Sequence, residues 1–210
     1  MDEKRVTTMN KPNNAMKKSI VLLFLFWHIA MFGQETVTTT VKYGVENKEL
    51  QDVFRFQNIF VEKFEFGSPQ IMGKYYRVFI KEFKNGKLTS SKVLFDGTET
   101  DLFKINLPTF SFKIFTQTSK NNLRVQLMHR NYGSAKQDFE LTESSAEYVP
   151  KDFFGANIAV ENPLNEEFPL LAIITPTKHE DGSASYCEVV QSEIKAEELG
   201  KHFNIPHLST

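Results

Sequence analysis

The chain has 210 residues, 25 Lys and Arg against 26 Asp and Glu, 40% apolar residues and one cysteine, Cys187. A single cysteine excludes an internal disulfide. The charge balance, which turns negative once residues 1–33 are set aside, argues against electrostatic binding to DNA, RNA or anionic lipid.

The first segment is read as an export signal. Residues 1–15 are polar and mixed in charge, and Lys17 and Lys18 then precede a run from Ile20 to Phe32 that only His28 interrupts. Thirteen residues suit the apolar region of a signal peptide and fall short of the roughly 20 needed to span a bilayer. Met16 is the expected translation start, residues 1–33 the expected leader and signal, and Gln34 the expected first residue of the mature domain; a cut after Ala30 is the alternative. The pattern resembles Gram-negative bacterial signals that end just before a Gln. With no cysteine after the apolar run, lipid attachment is not expected. The reading is a soluble protein, periplasmic or extracellular, with no stable membrane anchor.

Loss of residues 1–33 removes five basic and two acidic residues, leaving 20 against 24 and a formal charge of −4. It also removes Trp27, the only tryptophan, and keeps 17 of the 20 phenylalanines. A chain over residues 34–210 is long enough to bury its own core as one domain.

Val37, Thr39, Val41 and Tyr43 alternate as in a strand. From Asp52 to Phe66 two periods compete. Phe54, Phe56, Phe60, Phe64 and Phe66 fit one face of a strand, while Leu50, Val53, Phe54, Gln57 and Val61 fit a helix beginning near residue 47. Aromatic enrichment favours strand for residues 58–66. Next comes a hairpin, Lys74–Phe83 and Leu88–Phe95 about Asn85-Gly86, a pair that tolerates the positive φ of a tight turn. In its first arm Tyr76, Val78 and Ile80 share one face and Tyr75, Phe79 and Phe83 the other. A second hairpin sets Phe110, Phe112 and Ile114 opposite Leu123, Val125 and Leu127. Phe139 and Leu141 mark a short strand.

In a third hairpin, Phe168–Thr175 is apolar on both faces, Asp181-Gly182 turns the chain, and Ala184–Ser192 returns. Ala196–Phe203 reads as a two-turn C-terminal helix, weakened by Gly200 and stopped by Pro206. Antiparallel hairpins with little helix predict an all-β fold. A β-sandwich of about seven to nine strands is expected, with a closed β-barrel as the alternative.

Catalytic signatures are weak. His129, His179, His202 and His207 form no HExxH and no zinc-ligand spacing. Ser192 to Lys195 matches S-x-x-K without its companion motifs. Cys187 has no cationic neighbour in sequence to activate it. Two loops supply ligand-contact candidates: His179, Glu180 and Asp181 at the third hairpin tip, and Asp96, Glu99 and Asp101 in a loop whose hard oxygens suit Ca²⁺. Turn geometry and solvation account for both equally well. The excess of phenylalanine fits an ordinary core or a Phe-lined interior that holds a lipid or another apolar ligand.

The expected function is therefore a non-catalytic binding or envelope-accessory domain acting on an unknown protein or small ligand. A carrier of an apolar ligand is the alternative, and a hydrolase without a recognisable motif a further one.

Overall fold

The computed structural model describes residues 35–84, 86–142, 144, 147–179, 181–185, 198 and 207–209. The expected export signal, Cys187, Glu180, His202, the S-x-x-K stretch and most of the C-terminal helix lie outside them. The fold is a β-sandwich whose sheets do not close into a barrel.

The first sheet is built around β1 (Thr36–Tyr43), β2 (Ile59–Gly67), β5 (Thr109–Ser119) and β6 (Asn122–Met128). With β7 (Gln137–Glu140) and β9 (Ala159–Pro163) it has six strands in the order β7-β6-β5-β2-β1-β9. The second has five, in the order β4-β3-β13-β10-β8: β3 (Arg77–Lys84), β4 (Lys87–Asp96), β8 (Val149–Asp152), β10 (Leu171–Ile174) and β13 (His207–Ser209). β11 (Thr177–Lys178) and β12 (Ala184–Ser185) form a separate ribbon. The sheets thus hold more strands than the alternating runs predict, because β8, β9 and β13 are short and lack alternation.

The ambiguity after residue 47 resolves as helix, then strand. The Asn47 side chain accepts from the Leu50 N–H and starts α1 (Lys48–Phe56). Asn58, at φ 51°, ends it in the left-handed conformation that Asn tolerates. Phe54 and Phe56 therefore leave the strand face expected for them. Phe54 meets Phe115 edge-on at 6.4 Å, and Phe56 is 89% exposed. Phe64 and Phe66 keep the inner face of β2 and pack in the core.

Both early hairpins form as expected. Lys84 pairs with Lys87 around residues 85–86, and Gly86 has φ 71°. Ser119 pairs with Asn122 around Lys120 and Asn121, both at positive φ. Ile80 and Phe83, expected on opposite faces, are both buried, and of the two only Ile80 belongs to the inter-sheet core. The extra residues of this pairing, Thr89 and Leu94, lie on β4, so β3 keeps its alternation.

Of the third hairpin the described residues show β11–β12, turning through Asp181-Gly182 with Gly182 at φ 80°; the rest of its return arm, residues 186–192, lies outside them. β10 pairs with β8 and β13. As its apolar run implies, successive residues Ala172, Ile173 and Ile174 are all buried.

Inner-face side chains of both sheets form one core, with Phe64, Phe112, Leu123 and Leu127 from the first sheet and Ile80, Leu94 and Ile173 from the second. Gly97, after β4, is needed for close approach: its N–H bonds the Tyr76 carbonyl at 2.9 Å, and a Cβ there would meet that same oxygen at 2.6 Å. Gly97→Ala should lower stability by about 1–3 kcal/mol, because the obstacle is backbone and cannot rotate away. Urea midpoints check this, and an unchanged midpoint would show that the turn has slack.

Candidate functional site

Between the sheets lies a cavity of about 1090 Å³. Its border combines core side chains that are themselves buried, Phe112 and Ile114 of β5, Ile80 and Phe83 of β3 and Ile173 of β10, with half-buried Phe66, Phe110, Val78 and Leu171. The volume lies just above the roughly 300–1,000 Å³ of pockets that hold drug-sized molecules. Sheet pairing explains the opening. β3 and β10 both pair with β13, so they stand two strand spacings apart. β13 covers only Glu82 to Lys84 of β3 and Ile173 to Ile174 of β10.

Alongside residues 77–81 no described strand is paired on that side of β3. All five line the cavity, so it reaches the strand edge and is not sealed behind one face. The segment 163–170 borders the opening. It tucks Leu164 and Phe168 against Val37, Ile71 and Ile105, and it is tied to β3 by the ion pair of Lys81 with Glu167. Lys74 Nζ lies 3.4 Å from Asn165 Oδ1 on the same border.

A stack of aromatic rings packs beside the cavity. Tyr76 lies between Phe95 at 5.0 Å and Phe112 at 5.8 Å, and its hydroxyl is 3.2 Å from that of Tyr132. Burial and that hydrogen bond push the Tyr76 phenol well above its usual range, so it stays neutral. His129 belongs to the same stack, 4.2 Å from Tyr132 and 5.3 Å from Phe110. Burial lowers its pKa, which keeps the ring neutral at pH 7.

The ligand-contact candidates from the sequence do not converge. Asp96 accepts from the N–H and hydroxyl of Thr98 at 2.9 and 2.6 Å, caps a 3₁₀ turn, and is held below the usual carboxylate range by those bonds. Glu99 ends that turn. Asp101 accepts from Tyr75 and pairs with Lys104 at 3.3 Å, which lowers its pKa too. At the other loop, Asp181 accepts from Ser183, and His179 Nε2 lies 3.0 Å from Ser185 Oγ. Among the described residues no group of three or more His, Cys, Asp and Glu is placed to share a metal ion.

A different set of polar side chains meets at the inner faces, and sequence reading passes over it. Tyr43 and Glu62 are paired across β1 and β2. The Tyr43 hydroxyl donates to Asp152 Oδ2 of the second sheet at 2.5 Å, and Asp152 Oδ1 accepts from the Phe154 N–H at 2.7 Å. Glu62 is only 4% exposed, and its Oε2 has no hydrogen-bond partner among the described residues. Burial first, then the charge of Asp152, push the Glu62 carboxyl up to about 8. The Tyr43 phenol is pushed higher still by burial and by its bond to Asp152. The one available signal was Glu62 itself, a carboxylate on the even-numbered face otherwise occupied by Phe60, Phe64 and Phe66.

Among the described residues the site and fold define a β-sandwich with an apolar space between its sheets that reaches the edge of β3. Comparison with protein-family models, with curated proteins and with solved structures gave no match.

Proposed function

We propose that this chain is an exported, non-catalytic binding domain that holds a lipid or another apolar ligand in the cavity between its sheets. One observation carries the reading: a space of about 1090 Å³, lined by phenylalanine and aliphatic side chains of both sheets, that reaches the edge of β3. Apolar ligands gain most from such a space because burial removes their surface from water at about 25 cal/mol per Å². Among the described residues His129, His179 and Asp101 bond other partners and none of them bonds another, whereas a catalytic set must bring nucleophile, base and orienting group within hydrogen-bond reach. No helix among the described residues is long and apolar enough to cross a membrane, which suits a released domain.

A fluorescent fatty acid should bind the purified protein and be displaced by unlabelled fatty acid. Leu171→Trp, at the cavity wall on β10, should weaken binding at least tenfold while leaving the thermal midpoint close to wild type. Failure of the wild type to bind, or equal binding by the variant, would remove the cavity from consideration. Export has its own test. The intact mass of the exported protein should begin at Gln34, with negligible tryptophan fluorescence; a mature form retaining Trp27 contradicts the signal assignment.

A further inference from the structure

The three side chains that join β1, β2 and β8 do not line the cavity and are not explained by ligand binding there. Two of them are carboxylates on facing sheets, and both are buried. Among the described residues no Lys, Arg or His forms an ion pair with either. Buried carboxylates are ordinarily paired with a cation or fully hydrogen-bonded. Asp152 meets that rule through Tyr43 and Phe154. Glu62 does not: its Oε2 is buried without a partner among the described residues, on the inner face that Asp152 also faces. An orphaned carboxylate oxygen beside a second carboxylate marks a place for positive charge.

We propose that Glu62 and Asp152 bind a single Ca²⁺ ion between the two sheets. The charges balance, since one divalent ion neutralises two carboxylates where a proton neutralises one. The donor chemistry is also suitable, because Ca²⁺ takes oxygen ligands in flexible arrangements and completes its shell with carbonyls and water. Tyr43 provides the route. It lies at the end of β1 and is 63% exposed while its hydroxyl reaches Asp152, so the carboxylates sit one side chain from solvent. Bound there, the ion ties β2 of one sheet to β8 of the other, an interaction that only the folded chain offers.

The full chain, freed of metal with EDTA and titrated with CaCl₂ by calorimetry, should bind one equivalent with a Kd in the millimolar range or tighter. Its thermal midpoint should rise with added Ca²⁺. Glu62→Gln and Asp152→Asn should each weaken binding at least tenfold and abolish the thermal shift. Asp96→Asn and Asp101→Asn, in the exposed loop that also carries clustered carboxylates, should bind as wild type does. Glu62→Gln keeps shape and removes a charge, so its folding is secure and it decides the matter even if Asp152→Asn is unstable. No heat and no thermal shift at saturating Ca²⁺ overturns the site, as does undiminished binding by Glu62→Gln or loss of binding in the loop variants instead.

Discussion

Glu62→Gln is expected to stabilise the metal-free protein at pH 7.5 by on the order of 3 kcal/mol, the largest gain from any single substitution considered. The sign follows from proton binding in the two states. The Glu62 carboxyl has an ordinary value of 4.5 and is pushed up to about 8 in the folded chain by burial and by Asp152. Below pH 4.5 both states hold the proton and the residue imposes no pH dependence. Between 4.5 and 8 the unfolded chain releases the proton and the folded chain keeps it, so stability falls as pH rises, by about 1.4 kcal/mol per unit. Above 8 both are ionised and the slope vanishes. Glutamine keeps the shape and cannot titrate, so the variant should lack this slope. Urea midpoints of both proteins in EDTA from pH 5 to 9 test it; parallel profiles would mean that Glu62 is better solvated than its burial implies. A residue that costs this much is seldom retained for stability, which suits a ligand to an ion.

Phe64→Ala should cost about 3–5 kcal/mol, near the upper limit for one core substitution. Phe64 is 0% exposed and lies on β2, which pairs with β1 on one side and β5 on the other. Its ring meets Phe112 at 6.1 Å on the neighbouring strand and Phe154 at 6.4 Å beyond β8 of the opposite sheet. Truncation therefore opens a void at the seam between sheets, where strand pairing on both sides limits collapse. Phe56→Ala, eight residues earlier, should change stability by less than about 0.5 kcal/mol, since its ring lies in solvent. The contrast separates helix-then-strand from one continuous strand, on which the two rings would share a buried face. Comparable losses from both would favour the continuous strand.

Much of the fold was legible because a period of two survives wherever one face is buried and the other is wet. β5 and β6 are the clearest instances: Phe112, Ile114, Leu123, Val125 and Leu127 are all buried, as their alternation implies. Legibility failed where that period was interrupted. The two bulges of β4, at Thr89 and Leu94, shift its register against β3 without any residue that announces them. β8 and β9 carry Pro150 and Pro163, and proline argues against a strand unless the strand lies at a sheet edge, as both of these do. β10 shows another limit. Its apolar run revealed burial on both faces but not which strands lie beside it, because pairing partners distant in sequence leave no local mark.

The candidate sites were harder to read for a related reason. Asp96, Asp101 and Asp181 stood out as polar loop residues, yet they close turns and pair with neighbours. The cavity depends on how far β13 extends between β3 and β10, and nothing within β3 records that distance. Tyr43, Glu62 and Asp152 are brought together only when the two sheets face each other. Glu62 alone broke the pattern of its own strand, and an acidic residue among inward-facing phenylalanines is the kind of local misfit that deserves weight.

The prolines at the sheet borders also bear on how the protein behaves when concentrated. Each outermost strand of an open sandwich could recruit a strand of another molecule and start a growing fibril. Among the described strands four are outermost, and three of them, β7, β8 and β9, have only four or five residues, two of those carrying a proline that cannot donate to an incoming chain. The fourth, β4, is ten residues long, with Lys87 and Lys92 along it and a register shift at each end of its pairing with β3. Self-assembly should therefore start at β4 if it starts anywhere, and removing the charge of Lys92 would shorten the lag before fibres form.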